Sequence, residues 1–384
     1  MAKLAKRTSQ VEASGIRRVF DLAAKIKDPC NLSIGQPHFD VPEEAKDATI
    51  AAVREGFNRY TMTQGIPELR ERVRRHLRET RGWEPEEVII TSGVSGGLML
   101  AVLALVDAGD EALVPDPYFL AYKQLLRLVD ARPVYVDTYP DFQLTPERLE
   151  RAIESRESRE SRGRKEGTVP HSGTVPSLLF LNSPANPTGA VVTEAHLKGI
   201  AEICRRRGIT VVSDEVYDAF SYDAPFVSVT RFLGEALVLG GFSKTYAMTG
   251  WRLGWAAGPK EILQQMLKLQ QISFVCAPSM AQKGAVAAFD TDPADRIADY
   301  KRKRDLIVDG LKDRFEVVRP AGAFYVFPKA PKGTGMEFVE RVIAKECLVI
   351  PGSVFSERDT HFRISYATTD EQLARGLKIL NSLA

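Results

Sequence analysis

From about residue 87, short apolar runs alternate with amphipathic segments, and this alternation constrains the fold more than any other feature of the chain. Segments such as YFLAYKQLLRLVDA and TEAHLKGIAEICRRRG have the apolar spacing of helices. Seven runs have the length and the Val, Ile and Leu content of buried strands: EVIITSG, EALVPD, PVYVDTY, SLLFLNS, ITVVSDEVY, EALVLGGFSK and RLGWAAG. This order predicts an α/β domain with a mostly parallel seven-stranded sheet covered by helices on both faces.

The pattern of predicted helices and strands changes after about residue 290. A long charged helix, ADRIADYKRKRDLIVDGLKDR, precedes four short strands (FEVVRP, AFYVFP, CLVIPG and FRISYA) and a closing helix that begins at a Thr/Asp cap. We therefore expect a large domain at 46–288 and a small α+β domain at 289–384. The first residues, 1–45, have no place in the alternating pattern, so we expect them to pack on the small domain or on a partner subunit.

A charged, low-complexity tract, ESRESRESRGRKEG, interrupts the alternation within residues 154–176. Tracts of this composition are typical of solvated, mobile loops, and we predict such a loop here.

Charge and cysteine use exclude several classes of function. The formal net charge is +2, which argues against a nucleic-acid-binding protein, and no apolar run has the length of a membrane span. The start, MAKLAKRTSQ, lacks the apolar core of a signal peptide. The four cysteines are widely spaced, and no histidines or cysteines have metal-ligand spacing. We expect a cytoplasmic protein that has reduced cysteines and no metal.

Two residues that follow strands have unusual settings for charged side chains. Lys244 follows EALVLGG and lies among Gly, Phe, Ser, Tyr, Met and Trp, where burial would favour its neutral, nucleophilic form. Asp214 ends the apolar strand ITVVSD, and a carboxylate there needs a partner. Asp214 and Glu215 are adjacent on a strand, so only one of them can point into a site. Tyr217 lies three residues further on.

Other residues near strand ends have the chemistry of an anion site. The glycine-rich turn TSGVSGGL at 91–98 lies between a strand and a helix, where backbone N–H groups favour an anion. Arg252 suits a phosphate, and Arg363, a cation within an apolar strand, needs an anionic partner. Asn186 lies in a tight turn and Phe119 lies at a strand end, where an aromatic ring can stack on a flat ligand. Such a set suits pyridoxal 5'-phosphate (PLP), which needs a lysine, an acid, a phosphate cradle and a cation for the substrate carboxylate.

The motif SKTYAMTGWRLGW, with NSPANPTG, SDEVY and FRISYA in the same order along the chain, resembles the class I/II aminotransferases of the fold-type I PLP family. GQPHFD at 35–40 and RYTMTQGIPELR at 59–70 are also similar to segments of that family. The resemblance covers nearly the whole chain.

The resemblance implies a role for each candidate residue. Lys244 would form the Schiff base, Asp214 would pair with the pyridinium, and Tyr217 would act with Asn186 at the ring hydroxyl. It implies stacking by Phe119, a phosphate site at Val94, Ser95, Gly96, Ser243 and Arg252, and a substrate carboxylate site at Gly35, Asn186 and Arg363. Tyr60 would reach the phosphate of the neighbouring subunit's cofactor, which implies a homodimer.

Two positions depart from the family pattern. Gly241 stands where many relatives have a serine three residues before the lysine. Ser95 stands where many bacterial aspartate-type relatives have a lysine that can meet a distal carboxylate, so a strictly aspartate-specific enzyme is disfavoured.

The function expected from these residues is ping-pong transfer of an amino group from an amino acid to a 2-oxo acid. A carbon–sulfur β-lyase on the same scaffold is the alternative, because the same residues serve both reactions. A PLP-binding regulator would need an N-terminal DNA-binding module, for which the short N-terminus has no room. The amino donor stays open: a partly apolar pocket near Ile16, Tyr60, Tyr122 and Tyr325 allows neutral or aromatic substrates.

Overall fold

The computed structural model describes residues 3–12, 19, 26–163 and 176–384. In chain order the strands of this part are β1 (Cys30–Asn31), β2 (Glu87–Thr91), β3 (Glu111–Asp116), β4 (Arg132–Asp137), β5 (Leu178–Asn182), β6 (Thr210–Asp214), β7 (Leu237–Gly241), β8 (Gly254–Gly258), β9 (Tyr325–Val326), β10 (Cys347–Leu348), β11 (Ile350–Pro351) and β12 (Phe362–Ser365). The helices are α1 (Lys6–Gln10), α2 (Glu43–Arg54), α3 (Pro67–Arg81), α4 (Gly93–Leu105), α5 (Leu120–Leu128), α6 (Pro146–Gly163), α7 (Glu194–Arg207), α8 (Lys260–Ser273), α9 (Ser279–Ala288), α10 (Ala294–Leu311), α11 (Gly335–Ile343) and α12 (Asp370–Leu383).

Seven strands form one sheet in the order β2-β8-β7-β6-β5-β3-β4. The neighbours from β7 through β6, β5 and β3 to β4 run parallel, whereas β8 runs antiparallel to both β7 and β2. The α/β class and the mostly parallel seven-stranded sheet are therefore confirmed.

Both faces of this sheet are buried. Ile90 and Val238 belong to one hydrophobic cluster, whereas Ile89 and Leu239 belong to another on the opposite face. Successive strand residues point to opposite faces, so near-continuous apolar runs are what a sheet covered by helices on both faces requires.

The C-terminal part contains a three-stranded antiparallel sheet, β11-β12-β9, and a parallel pair formed by β1 and β10. Cys30 lies opposite Cys347 in that pair, so the chain just before the large sheet lies against the C-terminal part. The helix α12 begins after the cap residue Thr369, whose side chain accepts a hydrogen bond from the Gln372 N–H. The boundaries at 45/46 and 288/289 stay predictions.

Two local predictions were wrong. FEVVRP, expected to be a strand at 315–320, is irregular, and its apolar content reflects packing: the Phe315 ring contacts Phe338 and Phe362. The loop expected from residue 154 is helical as far as Gly163, because Glu and Arg favour helices and because Glu157 pairs with Arg207 of α7 at 3.0 Å. The rest of that tract, 164–175, lies outside the described residues.

Helices of the described part are all too short or too polar to cross a membrane.

Candidate active site

A cavity of about 340 Å³ lies at the carboxyl ends of the parallel strands. Asp214 is the last residue of β6, Asn182 is the last residue of β5, and Lys244 follows β7 by three positions. Open α/β sheets bind ligands at this edge. Its lining residues are Ile34, Gly35, Gln36, Val94, Ser95, Phe119, Asn182, Asn186, Asp214, Val216, Tyr217, Ser243, Lys244, Thr249, Arg252, Tyr325 and Arg363.

Lys244 lies in a mostly apolar part of the cavity. Its Nζ donates a hydrogen bond to the Gly35 carbonyl oxygen at 2.6 Å and lies 5.8 Å from the centre of the Tyr217 ring. Burial, with repulsion from Arg363 and Arg252, lowers the pKa of Lys244 to about 8. A substantial fraction of this amine is therefore neutral near physiological pH, as a nucleophile or a general base requires.

Asp214 is almost fully buried at the floor of the cavity. Its carboxylate accepts hydrogen bonds from the Tyr122 hydroxyl at 2.9 Å and from the Val216 N–H at 3.3 Å. Burial raises the pKa of Asp214 to about 6, although these two hydrogen bonds oppose the rise. Such a carboxylate is stabilised by a cationic ligand group placed beside it.

Glu215 points away from the cavity, as the strand geometry predicts. It pairs with the Arg81 guanidinium at 2.8 Å and accepts a hydrogen bond from the Ser228 hydroxyl at 2.6 Å.

A chain of amide hydrogen bonds connects Asp214 to Arg363. Asn182 donates to the Asp214 backbone carbonyl at 3.0 Å and accepts from the Asn186 N–H at 2.9 Å. The Asn186 side-chain oxygen accepts from Arg363 at 2.9 Å. Asn182 had no assigned role from the sequence, because nothing local in the sequence marks its contact with Asp214. Tyr122 was expected near a substrate pocket, but it does not line this cavity and instead donates a hydrogen bond to Asp214.

Arg363 is a buried cation, 2% exposed, with no carboxylate within 4.0 Å among the residues that the structure describes. It donates to the Ser33 carbonyl at 2.7 Å, and its guanidinium lies 4.6 Å from the centre of the Tyr325 ring. Its Nε has no hydrogen-bond partner. A buried guanidinium with a free donor is a site for an anion, and a carboxylate matches its geometry.

Another part of the cavity has the features of a phosphate cradle. Gly93, the first residue of α4, has a φ of +68°, and a Cβ there would lie 2.8 Å from the Arg252 guanidinium. Arg252 donates to the Thr249 carbonyl at 2.9 Å, and the Ser95 and Ser243 side chains complete this wall. The first N–H groups of a helix have no partner within the helix, so they favour an anion here.

Aromatic residues form two other walls. The Tyr217 and Tyr325 hydroxyls share a hydrogen bond of 2.8 Å. Phe119 lines the cavity and packs edge-on against Tyr122, with ring centres 5.6 Å apart.

Two predicted site residues do not line this cavity. Gly96 lies in the first turns of α4, and its N–H is already bonded to the Ser92 carbonyl at 3.3 Å, so it is not free for an anion. Tyr60 is 84% exposed on the surface. Ile16 lies outside the described residues.

The profile of the Aminotransferase class I and II family matches residues 27–380. The chain belongs to this family. It is 36% identical to a probable aspartate aminotransferase of Methanocaldococcus jannaschii, over 99% of both chains. It is 32% identical to aromatic-amino-acid aminotransferase 2 of Thermococcus litoralis, over 97% of this chain and 96% of that protein.

Solved structures agree with this assignment. The aspartate aminotransferase of Thermus thermophilus with maleate superposes with a TM-score of 0.90 at 32% identity, over 100% of both chains. The fold is therefore the fold-type I transferase fold, and the chain is an aminotransferase (EC 2.6.1.-).

Proposed function

We propose that this aminotransferase uses PLP held by Lys244 and Asp214, and that Arg363 binds the α-carboxylate of the amino acid. The observation that carries the proposal is the buried Arg363 guanidinium, which has no carboxylate partner among the described residues and shares one cavity with a lysine of lowered pKa and an aspartate of raised pKa. Groups whose pKa values are displaced towards each other are typical of catalytic sites.

The cavity fits PLP at each of its polar groups. Arg252, Ser95, Ser243 and the Val94 N–H suit the phosphate, and the Gly93 backbone leaves room for it because a Cβ would fill the space. Asp214 suits a protonated ring nitrogen, since a cation there would restore the usual acidity of this buried carboxyl. The remaining ring contacts are Asn186 and Tyr217 for the hydroxyl and Phe119 for one face.

When bound, PLP supplies an aldehyde that accepts the amino group and a ring that accepts electrons from the reacting carbon. Lys244 Nζ would hold the cofactor through that aldehyde in the resting enzyme. Once released by the substrate amine, Lys244 would act as the base that accepts the proton of the substrate Cα and then as the acid that donates it to the cofactor carbon. The negative charge of the Asp214 carboxylate would keep the ring nitrogen protonated.

Arg363 orients the substrate for this proton transfer. Its Nε is free for a carboxylate oxygen, while Asn186 and the Ser33 carbonyl fix the other two nitrogens of the guanidinium. A rigid cation of this kind holds the Cα–H in reach of Lys244. The first amino acid leaves as a 2-oxo acid before a second 2-oxo acid, 2-oxoglutarate or pyruvate, takes up the amino group, so the kinetics are ping-pong.

We also propose that the enzyme is a cytoplasmic homodimer. Tyr60, Met62, Ile50 and Val53 form an exposed, largely apolar set close together in the sequence, which supports a subunit interface. Tyr60 then reaches the cofactor phosphate of the partner subunit. The four cysteines are all unpaired, which supports a reducing compartment.

The direct test is to locate the cofactor on the chain. Apoenzyme is mixed with PLP, reduced with borohydride and digested, and mass spectrometry should find the label on the peptide that contains Lys244. The variant Lys244→Ala should take up no label, whereas Lys283→Ala, which changes a partly exposed lysine outside the site, should be labelled like the wild type. Labelling that is unchanged in Lys244→Ala contradicts the proposal.

The pH dependence of the same reaction tests the environment of Lys244. Only the neutral amine attacks the aldehyde, so the uptake rate should rise with pH and level off above about 8, following the pKa of Lys244. Nα-acetyl-lysine in solution serves as the control, and its rate should continue to rise to about pH 10. If the uptake rate of the protein has its midpoint near pH 10, Lys244 is not desolvated.

A cystathionine assay separates transamination from the β-lyase alternative. Pyruvate formed without any added 2-oxo acid would indicate carbon–sulfur cleavage, whereas product that depends on the acceptor indicates transamination.

A further inference from the structure

Residues 57–66, between α2 and α3, form a segment that we call the Tyr60 loop. The loop is irregular along its whole length, and Tyr60 in its middle is 84% exposed. An irregular surface segment is mobile unless other elements bind it. The contacts that hold this loop therefore decide how well Tyr60 is placed.

Gln282 of α9 is fully buried and binds the loop at two points. Its side-chain oxygen accepts a hydrogen bond from the Ile66 N–H at 2.8 Å. Its side-chain nitrogen donates to the Thr61 hydroxyl at 3.1 Å and to the Ala277 carbonyl at 2.9 Å. Thr61 follows Tyr60 directly, so this one amide fixes the residue next to the tyrosine.

Gln270 of α8 is also fully buried, and it ties the loop to the large sheet. Its side-chain nitrogen donates to the Thr63 carbonyl at 2.5 Å and to the Ile90 carbonyl of β2 at 2.9 Å. The Ile90 N–H in turn donates to the Gln64 carbonyl at 2.9 Å. The second half of the loop is thus bound to α8, α9 and β2.

Two fully buried amides are costly compared with apolar side chains of similar size. The side-chain oxygen of Gln270 even lacks a hydrogen-bond partner within the described part of the chain, so stability alone does not account for an amide at this position. What both glutamines do is order the loop. A tyrosine on an ordered loop loses less conformational entropy when it binds a ligand, which raises the affinity without any new contact.

We infer that Gln282 and Gln270 are positioning residues that hold the Tyr60 loop in place for the site of the partner subunit. The inference rests on the proposed function, in which Tyr60 reaches the cofactor phosphate of the partner. Its consequence is an effect between chains: a substitution at Gln282 in one chain weakens PLP binding in the other.

A double-mutant cycle with Tyr60 separates positioning from general stability. Gln282→Met keeps the size of the side chain and removes its hydrogen bonds to the loop. The Kd of the apoenzyme for PLP should rise about tenfold, as for the loss of one hydrogen bond to a charged group. In a Tyr60→Ala background the same substitution should change the Kd by less than about twofold. Additive effects of the two substitutions overturn the inference.

Hydrogen exchange of the apoenzyme gives a second measurement, which needs no cofactor. In Gln282→Met the backbone amides of 57–66 should exchange at least about tenfold faster than in the wild type. Asn381→Leu is the control, because it removes a hydrogen bond of 2.9 Å to the Gly310 carbonyl in the C-terminal part. The control should lower stability but leave both loop exchange and the Kd unchanged. Unchanged loop exchange in Gln282→Met overturns the inference.

Two milder or parallel variants keep the test decisive if Gln282→Met does not fold. Thr61→Val removes only the hydroxyl that Gln282 binds, and Gln270→Met releases the loop from α8. Both should weaken PLP binding in the wild-type background and have little effect in the Tyr60→Ala background. Normal PLP binding in both variants overturns the inference.

Heterodimers purified through two different tags test the effect between chains. The visible absorbance of the lysine-bound cofactor reports only on a site that keeps Lys244. When Gln282→Met and Lys244→Ala are on different chains, this site receives Tyr60 from an intact loop and should have the wild-type Kd. When both are on one chain beside a wild-type partner, it receives the altered loop, and the Kd should be about tenfold higher. Equal values, or the reverse order, overturn the inference.

Tyr60→Ala alone separates failure of the inference from failure of the proposed function. If this variant binds PLP as the wild type does, Tyr60 does not serve the partner's site, and both fail. If Tyr60→Ala weakens PLP binding and Gln282→Met does not, the positioning role alone is overturned.

Discussion

Asp214 is held in a position that favours function over stability. Its side chain is 4% exposed, and burial raises its pKa to about 6 despite hydrogen bonds from Tyr122 and Val216. When no cationic ligand group lies beside Asp214, its ionised carboxylate is less stable in the native state than in the unfolded chain. In the apoenzyme this residue therefore destabilises the fold wherever it is ionised.

We predict that Asp214→Asn stabilises the apoenzyme while it removes activity. Because the folded pKa is raised, the unfolded state loses its proton first, and stability falls as the pH rises from about 4 to about 6. At pH 8 the asparagine should therefore add about 2–3 kcal/mol to the free energy of unfolding, and roughly half of that at pH 5. Urea unfolding at fixed protein concentration measures this gain. The kcat/KM for transamination should fall by at least about a hundredfold, because the ring nitrogen loses the carboxylate that keeps it protonated.

Asp218→Asn is the matched control with the opposite sign. Burial acts on Asp218 too, but the Arg81 guanidinium at 2.7 Å and His76 lower its pKa to about 2. Its carboxylate stabilises the fold above about pH 4, and this contribution disappears as the pH falls through 2. The asparagine should therefore weaken the apoenzyme at pH 8. If both variants shift stability in the same direction at pH 8, burial of Asp214 is not the cause.

At the scale of secondary structure, the pairing of β2 with β8 builds the end of the cavity that is proposed to bind the phosphate. Thr91 lies opposite Gly254 in this antiparallel pair. Gly93 follows β2 by two residues and Arg252 precedes β8 by two, so the pairing brings them face to face. Both have left-handed backbones, with φ of +68° and +56°, which turns the start of α4 towards the guanidinium. Two adjacent strand ends thus supply the helix N-terminus and the cation together.

Gly93→Ala should weaken PLP binding by about tenfold in Kd, because its Cβ would displace the Arg252 guanidinium. It should also lower stability by about 1–2 kcal/mol, since the left-handed conformation is strained for alanine. Gly82→Ala is the matched control: its φ is +60°, and a Cβ there meets nothing within 4 Å. The control should lose similar stability and bind PLP normally, as titration of the two apoenzymes would measure. Equal Kd values for PLP in the two variants would show that Arg252 does not bind the phosphate.

At the scale of the whole molecule, the cavity of one chain leaves Tyr60 without a role. This side chain is 84% exposed, and Met62 beside it is 48% exposed. Large exposed side chains of this kind are common at interfaces between subunits. A homodimer in which Tyr60 completes the partner's site would account for both its exposure and its place in the predicted cofactor set.

Subunit mixing tests this arrangement. Tyr60→Ala and Lys244→Ala should each be impaired alone, the first through weak PLP binding and the second through the missing amine. A mixed dimer has one site with both residues intact, so unfolding and refolding the two variants together should recover about a quarter of wild-type activity. Recovery no greater than the sum of the separate variants would place Tyr60 outside the partner's site. Tyr60→Phe, which keeps the ring, controls for damage to the interface.

Some features followed from the sequence because they are local. The seven buried runs predicted the sheet and its class, and the ends of those runs placed Asp214, Asn186 and Lys244 at one edge, since parallel strands share the edge at which they end. The motif around Lys244 was sufficient to identify the family. FEVVRP, however, has the composition of a strand and is irregular in the structure, because composition alone does not create the pairing that a strand needs.

The tertiary structure decided the contacts that join distant parts of the chain. Tyr122 reaches Asp214 across 92 positions, Lys244 reaches the Gly35 carbonyl across 209, and Arg363 reaches the Ser33 carbonyl across 330. No local pattern encodes such pairs, because they depend on the strand order, on the reversed direction of β8 and on the pairing of β1 with β10. The sequence by itself therefore determined the family and the α/β class, and it predicted which residues carry the chemistry. The packing of the whole chain decided their pKa values, their partners and the free donor on Arg363, because burial and hydrogen bonding are properties of the assembled fold.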